Sequence, residues 1–289
     1  MQPVLIAGPV SWNLLVHVGE LPPAQPHTVF ADWHHEAIGG TSAGKALNLA
    51  RLGVPVTLAT VLGDDEAGRR IISGLAGAGI ELLTAASSNG TERHTNLMDA
   101  HGRRLSIYLT LPVAAGPVAV PDETMAAAAV VVADLADHSR PVLRAARAAG
   151  KEIWCDLHDY DGRSEFHREF VEAADCVFLS SERLPDPGAF LRDRIAAGAR
   201  LAVCTSGADG AIALQRGGEL VRVAAEPVAE VIDTNGAGDA FFAGFLAAHL
   251  RGEELPECLR QAARAGAAAV RSRELAAADL SPELVAARP

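Results

Sequence analysis

The chain has 289 residues, of which 49% are apolar, so it can bury a large core and could form one large α/β domain or two small ones. Its 25 basic and 36 acidic residues leave a net charge of −11, which opposes nucleic-acid binding because polyanions are held through clustered lysine and arginine. The four cysteines are far apart and form no C-x-x-C pair, so neither a zinc site nor a disulfide framework is indicated.

Short apolar runs alternate with longer segments of helical period along most of the chain. Such runs are typical of buried strands, and the segments between them are typical of helices, several of which end at a glycine. This alternation predicts an α/β three-layer sandwich with a mostly parallel central sheet, helices on both of its faces, and a ligand site beyond the carboxyl ends of the strands. The predicted strands cover residues 4–8, 56–63, 130–135, 152–157, 176–180 and 201–207, and the predicted helices include residues 45–53, 67–79, 140–150 and 192–199.

Two regions interrupt this alternation with stretches of period-2 character. They cover about residues 10–38 and 91–110, and the second contains a predicted turn at D-A-H-G, residues 99–102. Since each region interrupts the β-α series near its beginning, we predict a single domain over residues 1–289 that carries a small β-lid.

Two aromatic side chains and two histidines in the predicted lid invite functional interpretations. Trp12 and Trp33 could stack on a sugar or a base, or they could pack within the lid. His34 and His35 are adjacent, so they point to opposite sides of a strand and cannot form an i, i+4 metal pair. We therefore expect the two histidines to be lid or surface residues.

The stretch VIDTNGAGDAFFAGF, residues 231–245, joins an apolar run to an alanine-rich one. A helix that starts at Gly236 would leave its first amides unpaired at the positive end of the helix dipole, where anions bind. Ala237 and Gly238 would let a phosphate approach the backbone, and Asp239 would lie beside it. A carboxylate beside an anion suggests phosphoryl transfer to an alcohol, in which it takes or orients the hydroxyl proton. The alternative is an acid that only stabilises the helix N-terminus.

Four segments together resemble the signatures of the ribokinase-like (PfkB) carbohydrate and nucleoside kinases. Their order and spacing also agree, and the resemblance covers most of the chain. It implies an α/β sandwich with a β-lid, the fold that the periodicity predicts independently. The segments are DTNGAGDAFFAGF (233–245), GGTSAGKALNLARLG (39–53), VLGDDEAG (61–68) and TSGADGAIAL (205–214).

The resemblance implies a kinase that transfers the γ-phosphate of ATP to a hydroxyl of a small sugar, sugar derivative or nucleoside. Asp239 would activate that hydroxyl, and the amides of Gly236, Ala237 and Gly238 would hold the transferred phosphoryl group. A catalytically inactive ligand sensor with the same fold is the alternative. Four further residues would lie along the nucleotide, namely Thr205, Gly207, Asp209 and Gly210.

The same resemblance implies two ions. Mg²⁺ would arrive with ATP, and K⁺ would bind near Asp233, which could instead cap the turn into the helix. In FLSSERL, residues 178–184, Ser181 and Leu184 replace the family's Asn and Glu. The family's Mg²⁺-associated motif is therefore not carried over directly.

The resemblance places the acceptor pocket at Asn13, Gly39, Gly40, Gly44 and Lys45. Asn13 replaces a family aspartate, so it offers hydrogen bonds without charge. Gly44 replaces a family asparagine, which removes a second hydroxyl ligand. Lys45 is interpreted as an exposed helix residue that could reach an anionic part of the substrate. We therefore expect poor binding of free ribose or fructose and a preference for an acceptor with a flat face or an anionic group.

Two other motifs suggest different chemistry. GGTSAGKA, residues 39–46, is one residue short of a P-loop, but Ala46 replaces the hydroxyl that would bind Mg²⁺ and no buried strand precedes it. In DLHDYDG, residues 156–162, acids and a histidine follow a predicted strand, so they could hold a metal or form a solvated loop. These residues are Asp156, His158, Asp159 and Asp161.

The remaining expectations concern partners and location. The chain begins without a basic leader segment, and nowhere do 18 uninterrupted apolar residues occur, so we expect a cytoplasmic protein with no membrane partner. Exposed lid strands in the resembling family often pair between subunits, which implies a homodimer through the lid.

Overall fold

Apolar runs form the centre of a nine-stranded sheet. The computed structural model describes residues 1–26, 28–101 and 103–287. The first strand of the chain lies third from one edge, and the chain builds the sheet first toward that edge and then toward the other. From one edge to the other the strands are β13 (Leu220–Val223), β12 (Ala211–Gln215), β11 (Leu201–Thr205), β10 (Cys176–Ser180), β9 (Glu152–Asp156), β8 (Val130–Ala133), β1 (Val4–Ala7), β4 (Val56–Leu62) and β5 (Glu81–Ala86).

The sheet is parallel from β5 to β11, and only the two edge strands β12 and β13 run antiparallel to their neighbours. All six strands predicted from the sequence are present. Every residue of β1, β4 and β8 is buried, as expected for strands that are covered on both faces.

Helices cover both faces of the sheet, so the predicted three-layer sandwich is confirmed. One apolar core lies between the sheet and a helical layer formed by α1 (Thr41–Arg51), α2 (Glu66–Gly77), α7 (Ala237–Leu250), α8 (Leu255–Val270) and α9 (Pro282–Ala286). The second core lies on the other face, against α3 (Asp122–Ala127), α4 (Arg140–Ala148), α5 (Arg168–Ala173) and α6 (Pro187–Ala196). The four predicted helices correspond to α1, α2, α4 and α6.

A second, four-stranded sheet forms the lid. Its order is β3 (Trp33–Gly39), β2 (Ser11–Val18), β6 (Glu92–Asp99) and β7 (Arg104–Thr110). The pairs β2–β3 and β6–β7 are antiparallel, whereas β2 and β6 are parallel. To within one residue, these four strands fall within the two regions predicted for the lid, and Gly102 of the predicted turn lies outside the described residues.

The two faces of the lid differ in polarity. The pairing register places Ser11 and Asn13 of β2 beside Glu92 and His94 of β6 on one face, which we call the inner face. All four side chains are buried. The opposite, outer face carries apolar side chains: Leu14, Val16, Leu97, Leu105, Ile107 and Leu109.

Both tryptophans of the lid pack against protein groups. Trp12 packs against the first core, with the Arg70 guanidinium of α2 5.3 Å from its ring. Trp33 stacks on His17 with ring centroids 3.4 Å apart, and the Arg273 guanidinium lies 4.2 Å from its ring. The packing interpretation is therefore the one observed. The four cysteines are free and buried, and in the described part of the chain no helix is long and apolar enough to cross a bilayer.

Candidate active site

The candidate site lies at the carboxyl ends of β1 and β8. From β1 the chain proceeds to β4 on one side, whereas from β8 it proceeds to β9 on the other, and a crevice opens where strand order reverses in this way. Gly8 follows β1 and Asp134 follows β8. A Cβ on Gly8 would lie 2.3 Å from the Ser42 hydroxyl and 2.8 Å from the Asp134 Cβ. The missing side chain therefore lets α1 approach the strand ends closely.

Helix α7 points its N-terminus into this region. Gly236 precedes it with a φ of 78°, a left-handed conformation that favours glycine, and a Cβ there would lie 2.9 Å from Leu275 Cδ1. A Cβ on Gly238 would meet no atom within 4 Å. The predicted helix start is thus confirmed to within one residue, and open space lies next to amides that have no intrahelical acceptor.

Asp239 lies in the first turn of α7. Its Oδ1 accepts a hydrogen bond of 2.6 Å from the Thr41 hydroxyl and one of 2.9 Å from Lys45 Nζ. Within the described residues no hydrogen-bond donor contacts its Oδ2, and the side chain is 14% exposed. One carboxylate oxygen is therefore held in place, and the other is available to accept a proton.

Lys45 is fully buried, so the expectation of an exposed helix residue was wrong. Its Nζ lies 3.1 Å from both Asp134 Oδ1 and Asp156 Oδ2, and it donates to the Thr41 hydroxyl and to Asp239. Burial alone would lower the pKa of Lys45, but the three carboxylates raise it above its ordinary value. The ammonium is saturated by protein acids, which opposes the P-loop interpretation because a P-loop lysine must be available to phosphate.

Two of the three acids that share Lys45 differ in the direction of their pKa shifts. Burial raises the pKa of Asp134, which also accepts a 2.7 Å hydrogen bond from the Ser42 hydroxyl. Burial would also raise the pKa of Asp156, but the neighbouring Lys45 ammonium lowers it to about 2. The motif suggested that Asp156 is a metal ligand or part of a solvated loop. Because Asp156 is buried and paired with Lys45, it is neither.

Three residues of this cluster were not predicted from the sequence, namely Thr41, Ser42 and Asp134. The signal available for Asp134 was an acid directly after the apolar strand VVVA, at the sheet edge where ligands bind. No comparable signal marks the two hydroxyls, whose partners are distant in the sequence.

The structure gives a steric reason for a glycine at position 44, which the sequence alone does not show. A Cβ at this position would lie 2.5 Å from Asp239 Oδ2 and 2.9 Å from the Asp239 Cβ. An asparagine, as in the family pattern, would therefore displace the carboxylate. Asn13 is 4% exposed and lies against Gly39, where a Cβ would lie 2.0 Å from the Asn13 Nδ2. Gly40 caps α1 with a φ of 89°.

The predicted nucleotide segment follows β11 on the surface. Thr205 ends the strand, and a short 3₁₀ turn spans Gly207–Asp209, both of whose ends are exposed. Gly210 has a φ of 88° and packs against the backbone of Val223 and Ala225. The segment after Ala225 borders an open cavity of about 300 Å³. Its lining includes Glu226, Pro227, Val228, Arg264 and Arg271.

Asp233 caps the turn that leads into α7. Its Oδ1 accepts a 2.7 Å hydrogen bond from the Asn235 amide, and its Oδ2 lies 3.8 Å from His17 Nε2 of the lid. These contacts favour the capping interpretation, and the monovalent-cation role of Asp233 stays a prediction. In the part of the chain that the structure describes, no group of three or more histidine, cysteine, aspartate or glutamate side chains could hold a metal ion.

Comparison with known proteins places this geometry in a family. The model of the pfkB family of carbohydrate kinases matches residues 23–151 and 169–282. The acarbose 7(IV)-phosphotransferase of Actinoplanes sp. is 37% identical over 279 residues, which are 91% of this chain and 90% of the relative. The solved structure of the microbiome-derived acarbose kinase Mak1 superposes with a TM-score of 0.84 at 30% identity, covering 98% and 97% of the two chains. The ribokinase of Arabidopsis thaliana, solved with ribose and ATP, shares the fold with a TM-score of 0.77 at 22% identity, over 95% and 94% of the chains. The chain therefore belongs to the PfkB family of carbohydrate kinases.

Proposed function

We propose that this protein is an ATP-dependent kinase that phosphorylates a hydroxyl of a sugar or sugar derivative, with Asp239 as the general base. The observation that carries the proposal is the state of the Asp239 carboxylate. Its Oδ1 accepts hydrogen bonds from Thr41 and Lys45, no donor of the described residues contacts its Oδ2, and it lies in the first turn of α7.

The reaction follows from these positions. The acceptor hydroxyl oxygen forms a bond to the γ-phosphorus of ATP while the bond from that phosphorus to the bridging oxygen of ADP breaks. The hydroxyl proton passes to Asp239 Oδ2. The amides of Gly236, Ala237 and Gly238 supply the positive end of the α7 dipole, which stabilises the negative charge of the transferred group. The products are a sugar phosphate and ADP.

ATP would lie along Thr205, Gly207, Asp209 and Gly210, with its base near the cavity beyond Ala225. This placement is supported by the exposed 3₁₀ turn and by the two arginines that line the cavity. The residues present do not fit a Mg²⁺ site built by protein side chains alone, since Lys45 already occupies the centre of the Asp134, Asp156 and Asp239 cluster. A Mg²⁺ ion that enters with the nucleotide phosphates needs few protein ligands.

An acceptor panel tests the proposed function. ADP release is measured with ATP and Mg²⁺ in the presence of acarbose, glucose, ribose, fructose, inosine, glucose 6-phosphate or fructose 6-phosphate, or without acceptor. We expect ADP release only with a sugar acceptor, and we include acarbose because two of the relatives named above are acarbose kinases. ADP release that is independent of acceptor would indicate an NTPase, and none with any acceptor would favour the ligand sensor.

We predict that Gly44→Ala impairs catalysis far more than it weakens the fold. The new Cβ would overlap Asp239 Oδ2, so the carboxylate must move, and displacement of a catalytic group by about 1 Å can reduce the rate by roughly 100-fold. Alanine has a higher helix propensity than glycine, but its Cβ would also lie 2.9 Å from the Asp239 Cβ, so we expect a modest decrease in melting temperature while the protein still folds. Gly77→Ala in α2, where a Cβ meets no atom within 4 Å, is the matched control. Equal kcat for Gly44→Ala and wild type would contradict this reading of the pocket.

We predict that Gly238→Val prevents phosphoryl transfer while the protein still folds. No protein atom lies within 4 Å of the new Cβ, so the branched side chain fills only the space that a phosphoryl group would enter. We expect kcat/KM for ATP to fall by on the order of 100-fold or more, the scale of losing oxyanion-hole stabilisation. Gly77→Val controls for a β-branched residue in a helix. A Gly238→Val enzyme with wild-type kinetics would show that phosphate binds elsewhere.

We also propose a homodimer that covers the outer face of the lid. On strand β7, at the edge of the lid, Leu105, Ile107 and Leu109 are each about half exposed, and an apolar sheet face of this kind is a typical interaction surface. We expect light scattering to report a dimer for wild type and a monomer for the double variant Ile107→Asp, Leu109→Asp. Ile72→Asp, on an exposed apolar residue of α2, should leave the dimer intact. A monomeric wild type would overturn the dimer.

A further inference from the structure

The inner face of the lid carries buried polar atoms that lack partners. Ser11 is fully buried and Asn13 is 4% exposed. Within the described residues, Ser11 Oγ and Asn13 Oδ1 have no hydrogen-bond partner. Buried polar atoms are almost always satisfied, so two of them side by side on β2 indicate that a ligand supplies their partners.

A carboxylate and an imidazole continue this polar surface on β6. Glu92 pairs in register with Ser11, and His94 pairs with Asn13. Glu92 is 6% exposed and His94 is 8% exposed, and Glu92 Oε1 lies 2.9 Å from His94 Nε2. We call Ser11, Asn13, Glu92 and His94 the lid row. Together they offer hydroxyl, amide, carboxylate and imidazole groups, the set that binds sugar hydroxyls.

The lid row is held firmly at its base. Thr91 immediately precedes Glu92, and its amide and hydroxyl donate hydrogen bonds of 2.8 and 2.7 Å to the two oxygens of Asp65. Asp65 also caps α2 by accepting from the Gly68 amide. Glu92 is therefore anchored to the body of the protein rather than carried on a free strand end.

The lid row lies beside the catalytic base. A Cβ on Gly39 would lie 2.0 Å from Asn13 Nδ2 and 3.0 Å from Ser11 Oγ, so these side chains lie close to Gly39. Thr41, two residues further along, donates its hydroxyl to Asp239. From the body, His138 follows β8 and presents a buried Nε2 that has no hydrogen-bond partner among the described residues. An acceptor whose hydroxyl reaches Asp239 would thus place its other hydroxyls against the lid row.

The charges near this position disfavour an anionic acceptor. Asp134, Asp156, Asp239 and Glu92 are acidic, and the one buried lysine is already shared by the first three. This removes the expected role of Lys45 in binding an anionic part of the substrate.

Arg93 of β6 is on the outer face of the lid, beside Trp12, and the arginine of the inner face, Arg104, lies at the other end of the lid. Arg104 pairs with Met98, which is six residues along β6 from Glu92, or about 20 Å at roughly 3.3 Å per residue. Its guanidinium donates to Asn235 beside the start of α7. Arg104 is therefore placed near the transferred phosphate rather than near the lid row.

We propose that the lid row recognises the outlying hydroxyls of an uncharged, polyhydroxylated sugar acceptor, and that Glu92 excludes sugars that are already phosphorylated. This proposal rests on the proposed kinase function. Glu92 would accept hydrogen bonds from acceptor hydroxyls and repel a phosphate placed in the same position.

Steady-state kinetics of Glu92→Gln tests the proposal. The neutral sugar with the highest kcat/KM in the acceptor panel is compared with glucose 6-phosphate and fructose 6-phosphate as inhibitors. We expect the KM for the neutral sugar to rise about 10-fold, the scale of one charge-assisted hydrogen bond, with kcat and the KM for ATP within about threefold of wild type. Inhibition by the phosphorylated sugars should strengthen. Glu36→Gln makes the same change on the outer side of β3, where Glu36 pairs with Arg70, and should behave as wild type.

The outcomes separate the two proposals. If wild type phosphorylates no sugar, the proposed kinase function is wrong, and the proposal for the lid row is wrong with it. If wild type phosphorylates a neutral sugar but Glu92→Gln has the same KM and the same inhibition constants as wild type, only the proposal for the lid row is wrong. A wild type that prefers a phosphorylated sugar would also overturn the lid row alone. Should Glu92→Gln fold poorly by circular dichroism, Asn13→Ala provides the same test, with an expected rise in KM at unchanged kcat.

Discussion

Replacing Asp239 by asparagine should lower kcat by on the order of 10² to 10⁴, the range expected for the loss of a general base. Asparagine keeps the size of the side chain, and its Oδ1 can still accept from Thr41 and Lys45. The amide cannot take the proton of the acceptor hydroxyl, so the loss should appear in kcat. Because the nucleotide is expected along Thr205 to Gly210, the KM for ATP should stay within about threefold of wild type.

The control for Asp239→Asn is Asp64→Asn, which removes a fully exposed carboxylate on the loop before α2. It should have wild-type kinetics. An Asp239→Asn enzyme with unaltered kcat would remove Asp239 from the mechanism and leave the carboxylate as a helix N-terminal residue only.

Replacing Lys45 by methionine should have the largest effect on stability. Methionine fills a similar volume but leaves Asp134, Asp156 and Asp239 around a site without a cation. Breaking a buried ion pair by removing one partner typically costs about 3 to 5 kcal/mol, and here one ammonium serves three carboxylates. We expect urea denaturation to show a decrease of that size in the free energy of unfolding, accompanied by loss of kinase activity.

Two further variants make this prediction specific. Lys151→Met removes the chain's only other lysine, whose Nζ donates to the carbonyls of Ala126 and Ala128, and should cost about 1 kcal/mol. Adding Asp134→Asn to Lys45→Met removes one of the unpaired acids and should recover part of the stability, as neighbouring sites couple. If Lys45→Met were as stable as Lys151→Met, the buried ion cluster would not have the importance that its geometry indicates.

The sheet and its helices could be predicted because each element has its own local pattern. Fully buried parallel strands such as β4 appear as continuous apolar runs, and α2 and α4 end next to Gly79 and Gly150, which have positive φ. The strands β5, β12 and β13 were not predicted. β5 and β13 are partly exposed, and β12 lies in the segment interpreted as the nucleotide-binding turn.

The ion cluster could not be predicted, because it depends on strand order. The cluster takes its residues from four parts of the chain, and only the adjacency of β1, β8 and β9 brings these parts together. The residues are Thr41 with Lys45, Asp134, Asp156 and Asp239. From the sequence, a lysine in a helix is expected to be exposed. The steric reason for a glycine at position 44 could not be predicted either, since its neighbour Asp239 is 195 residues away.

The fate of a labelled γ-phosphate tests the central claim most directly. ATP labelled in its γ-phosphate is incubated with wild type and with Asp239→Asn, each with and without acarbose and the other neutral sugars of the panel, and the labelled products are separated. We expect wild type to place the label on a sugar hydroxyl, with little free phosphate, and Asp239→Asn to place almost none there while still binding ATP. Label that appears as free phosphate at the same rate with and without sugar, or on sugar at the same rate in both proteins, would contradict a sugar kinase that uses Asp239 as its base.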